Sequence, residues 1–325
     1  MTTHFISGDG IVSDATIDIL LAVYNGEHFL RPFLDSLVAQ SFADFRLIVS
    51  DNRSFDRTVS IIEEYRAKLM HPLVILPLPD IFASAHANFA RVTEAAESRY
   101  IMYADADDIW HSDKIDKTLA AMRQAERRFG ATRPILVHSD LVVVNEELRC
   151  LHPSFWSYQF IDPRRTALNH LLPQNCVTGC TVMLNRPLLE LGKPVPSDAC
   201  AHDHWFALVA STFGHIVVIP ESLIDYRQHG RNVTGAKRWG VRYVAERATR
   251  LYAADGARET IALSIQQAQV FMSRFDGRLR SDQMLVVQSF AGIRKRGVFS
   301  RRLTLIRNAF WKRGVVRNLG LLLAI

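Results

Sequence analysis

Cysteine is scarce in this chain: four residues in 325, at Cys150, Cys176, Cys180 and Cys200. No two form a Cys-x-x-Cys pair, so the spacing suggests neither a zinc site nor a dithiol redox motif. Nothing indicates secretion, and a reducing cytoplasm is the expected compartment. Long apolar runs are missing as well. Met1 to Thr16 carries Asp9 and Asp14 without an extended apolar stretch, which does not read as a signal peptide. The longest terminal run, Leu319 to Ile325, is seven residues, far short of the roughly 20 a spanning helix requires. Acidic residues are absent from one whole segment: Phe290 to Ile325 holds nine Lys/Arg and no Asp or Glu. Removing those nine from 39 leaves 30 basic against 33 acidic residues in the first 289, a body at about −3. The net +6 therefore belongs to the tail. That argues against a nucleic-acid-binding core and for an anionic partner at the tail.

What is present is a large apolar fraction, 48%, enough for one big or two modest domains. The first half alternates. Ile17 to Val23, Phe45 to Ser50, Leu73 to Leu78, Tyr100 to Ala104 and Ile135 to Asn145 read as strands. Phe29 to Ala39, Thr58 to Leu69, Asn88 to Ala96 and Ile115 to Phe129 have helical spacing. Short apolar runs separated by amphipathic helices predict an α/β fold with a mostly parallel sheet covered on both faces. The second half is less regular. Pro163 to Leu172 and His202 to Phe213 read as helices, Thr178 to Leu184 as a strand, and His215 to Ile219 and Leu223 to Tyr226 as short strands. Beyond Gly235 the chain reads as helical and arginine-rich, with the sharpest composition shift at Gly235 to Gly240. The expected organisation is an extension over 1–15, a main domain over 16–236 and a helical basic region over 237–325.

The most informative segment is Tyr100-Ile-Met-Tyr-Ala-Asp-Ala-Asp-Asp-Ile-Trp110. A buried strand ends at three carboxylates, Asp105, Asp107 and Asp108. The carboxyl ends of strands are where open α/β sheets place ligands. Asp105 and Asp107 are two apart, so an extended backbone would aim both to one side. Two hard oxygen donors there suit Mg²⁺ or Mn²⁺ and, through it, phosphate oxygens. The competing reading is an acidic cap for the following helix. One acid suffices for a cap, however, whereas three at a buried strand's mouth repel one another unless a positive group offsets them.

Four further segments carry polar groups. Ala22-Val-Tyr-Asn-Gly-Glu27 joins a strand to a helix start, where amides and a tyrosine face can hold a nucleotide, although taken alone it reads first as an ordinary Asn-Gly turn. Ser50 to Thr58 offers Asp51 for a base or ribose, with Asp56 read as a helix cap. Gln174-Asn-Cys-Val-Thr-Gly-Cys-Thr181 lets backbone approach a sugar or diphosphate, or is a plain bulge. In Ala201-His-Asp-His-Trp205, His202 and His204 stand two apart and cannot share a helix face, so a zinc pair is not expected. Asp203 reads as a cap or as a general base. In Tyr226 to Thr234, His229 can join a metal site, although a lone histidine is more often structural, and Arg227 and Arg231 can offset phosphate charge.

These segments in this order resemble a family 2 glycosyltransferase with the GT-A fold, over roughly Asp18 to Ala236. More narrowly, Phe155-Trp, Gln174-Asn, Val177-Thr-Gly-Cys-Thr, His202-Asp-His-Trp and Tyr226-Arg-Gln-His-Gly-Arg-Asn-Val-Thr-Gly-Ala236 resemble bacterial rhamnosyltransferases of surface-polysaccharide assembly. The resemblance implies that Ala22, Tyr24, Asn25 and Glu27 line a nucleotide pocket and that Asp51 holds the base. Asp105 and Asp107 match the Asp-x-Asp pair for ribose and a metal-diphosphate. Thr178, Gly179 and Cys180 match the loop beneath the donor sugar, Asp203 the catalytic base, and His229 the histidine that completes a site for Mg²⁺ or Mn²⁺. The implied reaction is inverting transfer of a sugar, L-rhamnose from dTDP-L-rhamnose, to a glycan acceptor that is lipid-linked at the cytoplasmic face of the inner membrane.

Two positions depart from the pattern. Arg53 replaces a glycine in Asp51-Asn-Arg-Ser-Phe-Asp56, which bears on the turn and on base preference. His204 stands where an aromatic is frequent, which bears on acceptor preference. Two other readings compete: a non-catalytic GT-A protein that binds nucleotide sugars, against which Asp105, Asp107 and Asp203 are all present, and a sugar-nucleotide pyrophosphorylase. The latter needs a basic Gly-rich loop after the first strand, and Tyr24-Asn-Gly-Glu-His28 has no Lys or Arg. The tail, with apolar and basic residues interleaved, is expected to lie on a membrane surface rather than cross it; the alternative is docking on the protein's own acidic body.

Overall fold

The computed structural model describes residues 15–69, 71–77, 84–230 and 254–325. The expected extension over 1–15, all but its last residue, and the boundary between 236 and 237 lie outside the described residues.

Strands β1 (Ile17–Val23), β2 (Phe45–Asp51), β3 (Leu73–Ile75) and β4 (Tyr100–Ala104) are parallel, in the spatial order β3-β2-β1-β4. Helices α1 (Glu27–Val38), α2 (Thr58–Tyr65) and α3 (Ala85–Glu94) connect them. The side-chain period of two sorts each strand between two layers. Ile17, Ile19, Leu21 and Val23 of β1 and Tyr100, Met102 and Ala104 of β4 pack with α1 and α2. Leu20, Ile101 and Tyr103 point to the opposite layer, with α3. The entry ends of β1 and β2 are pinned by a buried pair: Arg46 donates to the Asp18 carboxylate at 2.8 and 3.0 Å. Asp18 also accepts the Glu97 and Ser98 amides and the Ser98 hydroxyl. Such satisfaction is what a buried carboxylate requires. It leaves the opposite, carboxyl ends of the strands free for a site.

The chain continues through β5 (Ile109–Trp110), α4 (Lys114–Phe129), β6 (Ile135–Val144), β7 (Cys150–His152), α5 (Phe155–Tyr158), α6 (Leu168–Leu171), β8 (Met183–Asn185), α7 (Arg186–Gly192), α8 (His202–Phe213) and β9 (His215–Arg227). β8 inserts antiparallel between β4 and β6, and β9 runs parallel to β6 with β5 outside it. Three expectations need correcting. The strand expected over Thr178 to Leu184 is mostly a 3-10 turn, Gly179–Thr181, because the Thr178 carbonyl accepts the Thr181 amide at 3.0 Å and its hydroxyl at 2.7 Å. Only the short β8 pairs. The helix expected over Pro163 to Leu172 is limited to α6. The two strands expected at His215 to Ile219 and Leu223 to Tyr226 are one, β9; its register against β6 slips between Ile219 and Ser222, around Pro220, which has no amide to donate.

Among the described residues four helices follow: Ala254–Arg274, Ser281–Ala291, Val298–Arg307 and Val315–Ala324. Their inner faces belong to the α8 layer. Phe271, Phe275, Phe290, Leu305 and Phe310 are buried there, with the Trp205 and Phe275 rings stacked at 5.9 Å. Arg317 donates to the Phe160 carbonyl at 2.7 Å and Arg165 to that of Trp311 at 2.5 Å. The tail is thus built into the core along one side, and truncation after Ser289 would strip Phe290, Ile293, Leu305 and Phe310 from it. Among the described residues no helix is long and apolar enough to cross a membrane.

Candidate active site

The β1–α1 and β2–α2 loops are stapled to each other. Asn25 takes a left-handed φ of 48°, its amide donating to Ser54 Oγ at 2.8 Å and its side-chain oxygen accepting the Phe55 amide at 3.1 Å. Glu27 accepts the Arg57 amide at 2.8 Å, and Asp56 accepts the Glu27 and Thr58 amides at 3.2 and 2.9 Å. Asp51, buried at the end of β2, accepts the Ser54 amide at 3.0 Å. Asn25, Glu27 and Asp51 therefore fix the two loops in place. Tyr24, 56% exposed and edge-on to the exposed Phe55 ring at 6.3 Å, presents a free aromatic face. Ala22 is partly buried near the end of β1. Arg53 does not abolish the turn: it adopts φ 57°, the left-handed conformation a glycine would take most easily.

The acidic run sits where β4 ends, but in a turn over Ala106 and Asp107, so the extended-strand argument for a shared side does not apply. Convergence comes from elsewhere. Asp105, Asp108 and Cys180 bring ligand atoms within 4.8 Å of one another. Asp107 meets His229, whose Nε2 lies 2.8 Å from its carboxylate while the ring stacks on Phe29 at 4.4 Å. Burial, with the charges of Asp107 and Asp203, pushes the Asp105 carboxyl up to about 7; the Cys180 thiol opposes this by hydrogen bonding to it. Asp108, fully buried, is likewise raised well above the usual carboxylate range, burial again being the main cause. Carboxyls raised in this way suit a divalent ion that offsets their charge, and hard carboxylate oxygens with one imidazole suit Mg²⁺ or Mn²⁺. Asp105 converging with Asp108 and Cys180, and Asp107 paired with His229, are the donors that could hold one. Arg227 is tied to the acidic turn. Its Nε donates to the Asp107 carbonyl at 2.8 Å, its Nη1 to the Glu146 carbonyl at 2.6 Å and its amide to Asp108 at 3.2 Å. It fixes the acidic turn. Arg231 lies outside the described residues.

Two residues of this centre escaped the sequence reading. Asp108 had a signal, as the third acid of the run, but no role. Lys114 had none, since a lysine in a helical first turn reads as solvated. In the fold it is completely buried behind the cluster, its Nζ 3.5 Å above the Trp110 ring. Burial lowers it to about 7, and the charges of Cys180 and Asp108 pull it back.

Asp203 comes from the first turn of α8, whose N-cap is Ala201 without a side-chain cap; the cap reading fails on position. Its carboxylate accepts the His204 amide at 2.6 Å and is further held by the Gly179 amide and the Asn175 side chain. Gly179 approaches so closely that a Cβ there would stand 2.8 Å from His202 Nε2 and 3.7 Å from the Asp203 Cβ. Only glycine permits this contact. Burial pushes the Asp203 carboxyl up to about 6. Gly179 thus lies beside Asp203, with the partly buried Thr178 preceding it, while Cys180 turns inward to the acids. His204 does not face this cleft. Burial lowers it to about 4, so it is neutral and donates from Nε2 to the Leu171 carbonyl at 2.7 Å.

Comparison with known proteins gives concordant results. A family model, Glycosyl transferase family 2, matches residues 18–190. The chain is 27% identical over 229 residues to a dTDP-rhamnosyl transferase, RfbG, of Shigella flexneri, spanning 66% of this chain and 74% of that protein. It is 28% identical over 185 residues to WfgD of Escherichia coli, a UDP-Glc:alpha-D-GlcNAc-diphosphoundecaprenol beta-1,3-glucosyltransferase, spanning 55% of this chain and 64% of that protein. Among solved structures, S. aureus TarS 1-349 in complex with UDP-GlcNAc superposes with a TM-score of 0.56 at 14% identity, covering 93% of this chain and 90% of that one. The mannosyltransferase PcManGT from Pyrobaculum calidifontis, in complex with GDP-Man and Mn²⁺, gives 0.52 at 15% identity, covering 95% and 84%. These likenesses establish the GT-A fold.

Proposed function

The chain belongs to glycosyl transferase family 2, and from that premise we propose an inverting, divalent-metal-dependent transfer of L-rhamnose from dTDP-L-rhamnose to a lipid-linked glycan of a cell-surface polysaccharide. One observation carries the mechanism: Asp203 is held against the Gly179 backbone, facing an acidic centre whose Asp105 feels its charge. Tyr24 offers a face for the base, and Ala22, Asn25, Glu27 and Asp51 shape its pocket. Asp105, Asp107 and His229 would hold Mg²⁺ or Mn²⁺, which when bound offsets charge on the departing diphosphate. Thr178 and Gly179 seat the sugar. Asp203, as carboxylate, takes the proton of the acceptor hydroxyl while that oxygen attacks the anomeric carbon from the face opposite the nucleotide. The bond to the diphosphate breaks with its electron pair, and no covalent sugar–enzyme species forms.

The donor assignment is supported by the rhamnosyl transferase named above, and the acceptor class by the diphosphoundecaprenol substrate in the name of the glucosyltransferase. With such an acceptor the enzyme would work at the cytoplasmic face of the inner membrane. The test is the anomeric configuration of the product, read by NMR from the one-bond C1–H1 coupling. A β-linked donor is expected to give an α-rhamnoside. A β-rhamnoside would mean retention and would remove Asp203 from its role.

A further inference from the structure

We propose that the outward faces of the helices Val298–Arg307 and Val315–Ala324 form a seat for an anionic lipid bilayer, set beside the Asp203 cleft; the membrane partner rests on the functional reading above, the face does not. Val298–Arg307 buries Thr304 and Leu305 and exposes Phe299, Leu303 and Ile306, which share one side at intervals of four and three. Phe299 is 83% exposed. Val315–Ala324 buries Leu321 and exposes Val315, Leu319 and Leu323, again on one side at intervals of four. Among the described residues, eight of the sixteen exposed large hydrophobic side chains fall between 298 and 323. Singly such residues need no explanation, but gathered in 26 positions they call for a partner.

The charge names that partner. Arg294, Lys295, Arg296, Arg302 and Arg307 are exposed around this face, and no acid occurs anywhere from Phe290 to Ile325. A second copy meeting the same face in a symmetric dimer would press these cations against their own kind. An anionic leaflet complements them and takes up the apolar stripe together. Each helix is only 10 residues, so it lies on the surface rather than spanning it. The face is also tied to the site. Arg301 donates to the Ile325 carbonyl at 2.8 Å, joining the two helices. The Arg313 amide, in the loop between them, donates to Gln174 Oε1 at 2.8 Å, and the adjacent Asn175 bonds to Asp203. A bilayer on this seat would bring a membrane-borne acceptor to the base side of the cleft.

The test uses the full chain with Phe299→Ser, Leu303→Ser and Ile306→Ser together, co-sedimented with vesicles of phosphatidylcholine alone or mixed equally with phosphatidylglycerol. All three side chains are solvent-facing, so melting and metal-dependent donor turnover should match the wild type. Binding to the mixed vesicles is expected to fall at least about tenfold, and wild-type binding should weaken in high salt. If the wild type binds the mixed vesicles and the triple variant binds equally, this face is not the seat, although a membrane partner stands. If the wild type does not bind them, the membrane partner itself is wrong. A concentration-dependent dimer that the triple variant dissolves would assign the face to a second copy and overturn the proposal.

Discussion

Replacing Asp203 by Asn is expected to lower turnover by about 10²–10⁴ while leaving donor affinity within a few fold. The amide keeps the shape that the His204 and Gly179 amides hold, so α8 and the Gly179 turn should stay in place. What it loses is the ability to accept a proton. The same residue sets a pH limb. Its carboxyl is pushed up to about 6 by burial, and only the deprotonated form is a base. Wild-type turnover should therefore fall as pH drops through 6, about tenfold per unit below it, and level off above. The Asn variant should lack that limb. If donor affinity collapses in Asp203→Asn, the residue holds the loop rather than the proton.

The second large effect belongs to Asp107. Asp107→Asn removes one charge from the cluster and keeps an oxygen near His229, and Asp107 lies partly exposed in a turn. Folding should change little, with melting within about 4 °C. Metal-stimulated donor turnover should fall by on the order of 10²–10³, the usual cost of removing one group that stabilises developing charge. Isothermal titration with Mn²⁺ provides the parallel reading, with binding weakened in the variant. A variant whose turnover equals the wild type, in Mn²⁺ and in EDTA alike, would take Asp107 out of the mechanism.

The parts legible from sequence were those governed by local pattern. β1, β4 and α8 fall at the expected positions because alternation and helical spacing act within a few residues. Two of the polar segments singled out in the sequence touch others in the fold: the Gly179 turn reaches Asp203, and His229 reaches Asp107. Orientation was not legible, because it depends on partners far away in the chain. His204 turns to Leu171 instead of the cleft, Arg227 reaches back to the Asp107 carbonyl, and Lys114 is buried on Trp110. The C-terminal region shows the same limit. Its composition marks a basic amphipathic segment, but only tertiary packing shows that Phe290, Leu305 and Phe310 complete the α8 layer while Phe299 and Leu303 remain outside.

The most direct measurement of the central claim is nucleoside diphosphate release from a panel of dTDP-, UDP- and GDP-sugars, assayed with Mg²⁺ or Mn²⁺ and again with EDTA. The expected result is release of dTDP from dTDP-L-rhamnose, dependent on the metal and faster than from any other donor. A folded protein that releases no diphosphate from any of them, and that none of them stabilises against heat in the presence of metal, would contradict the account.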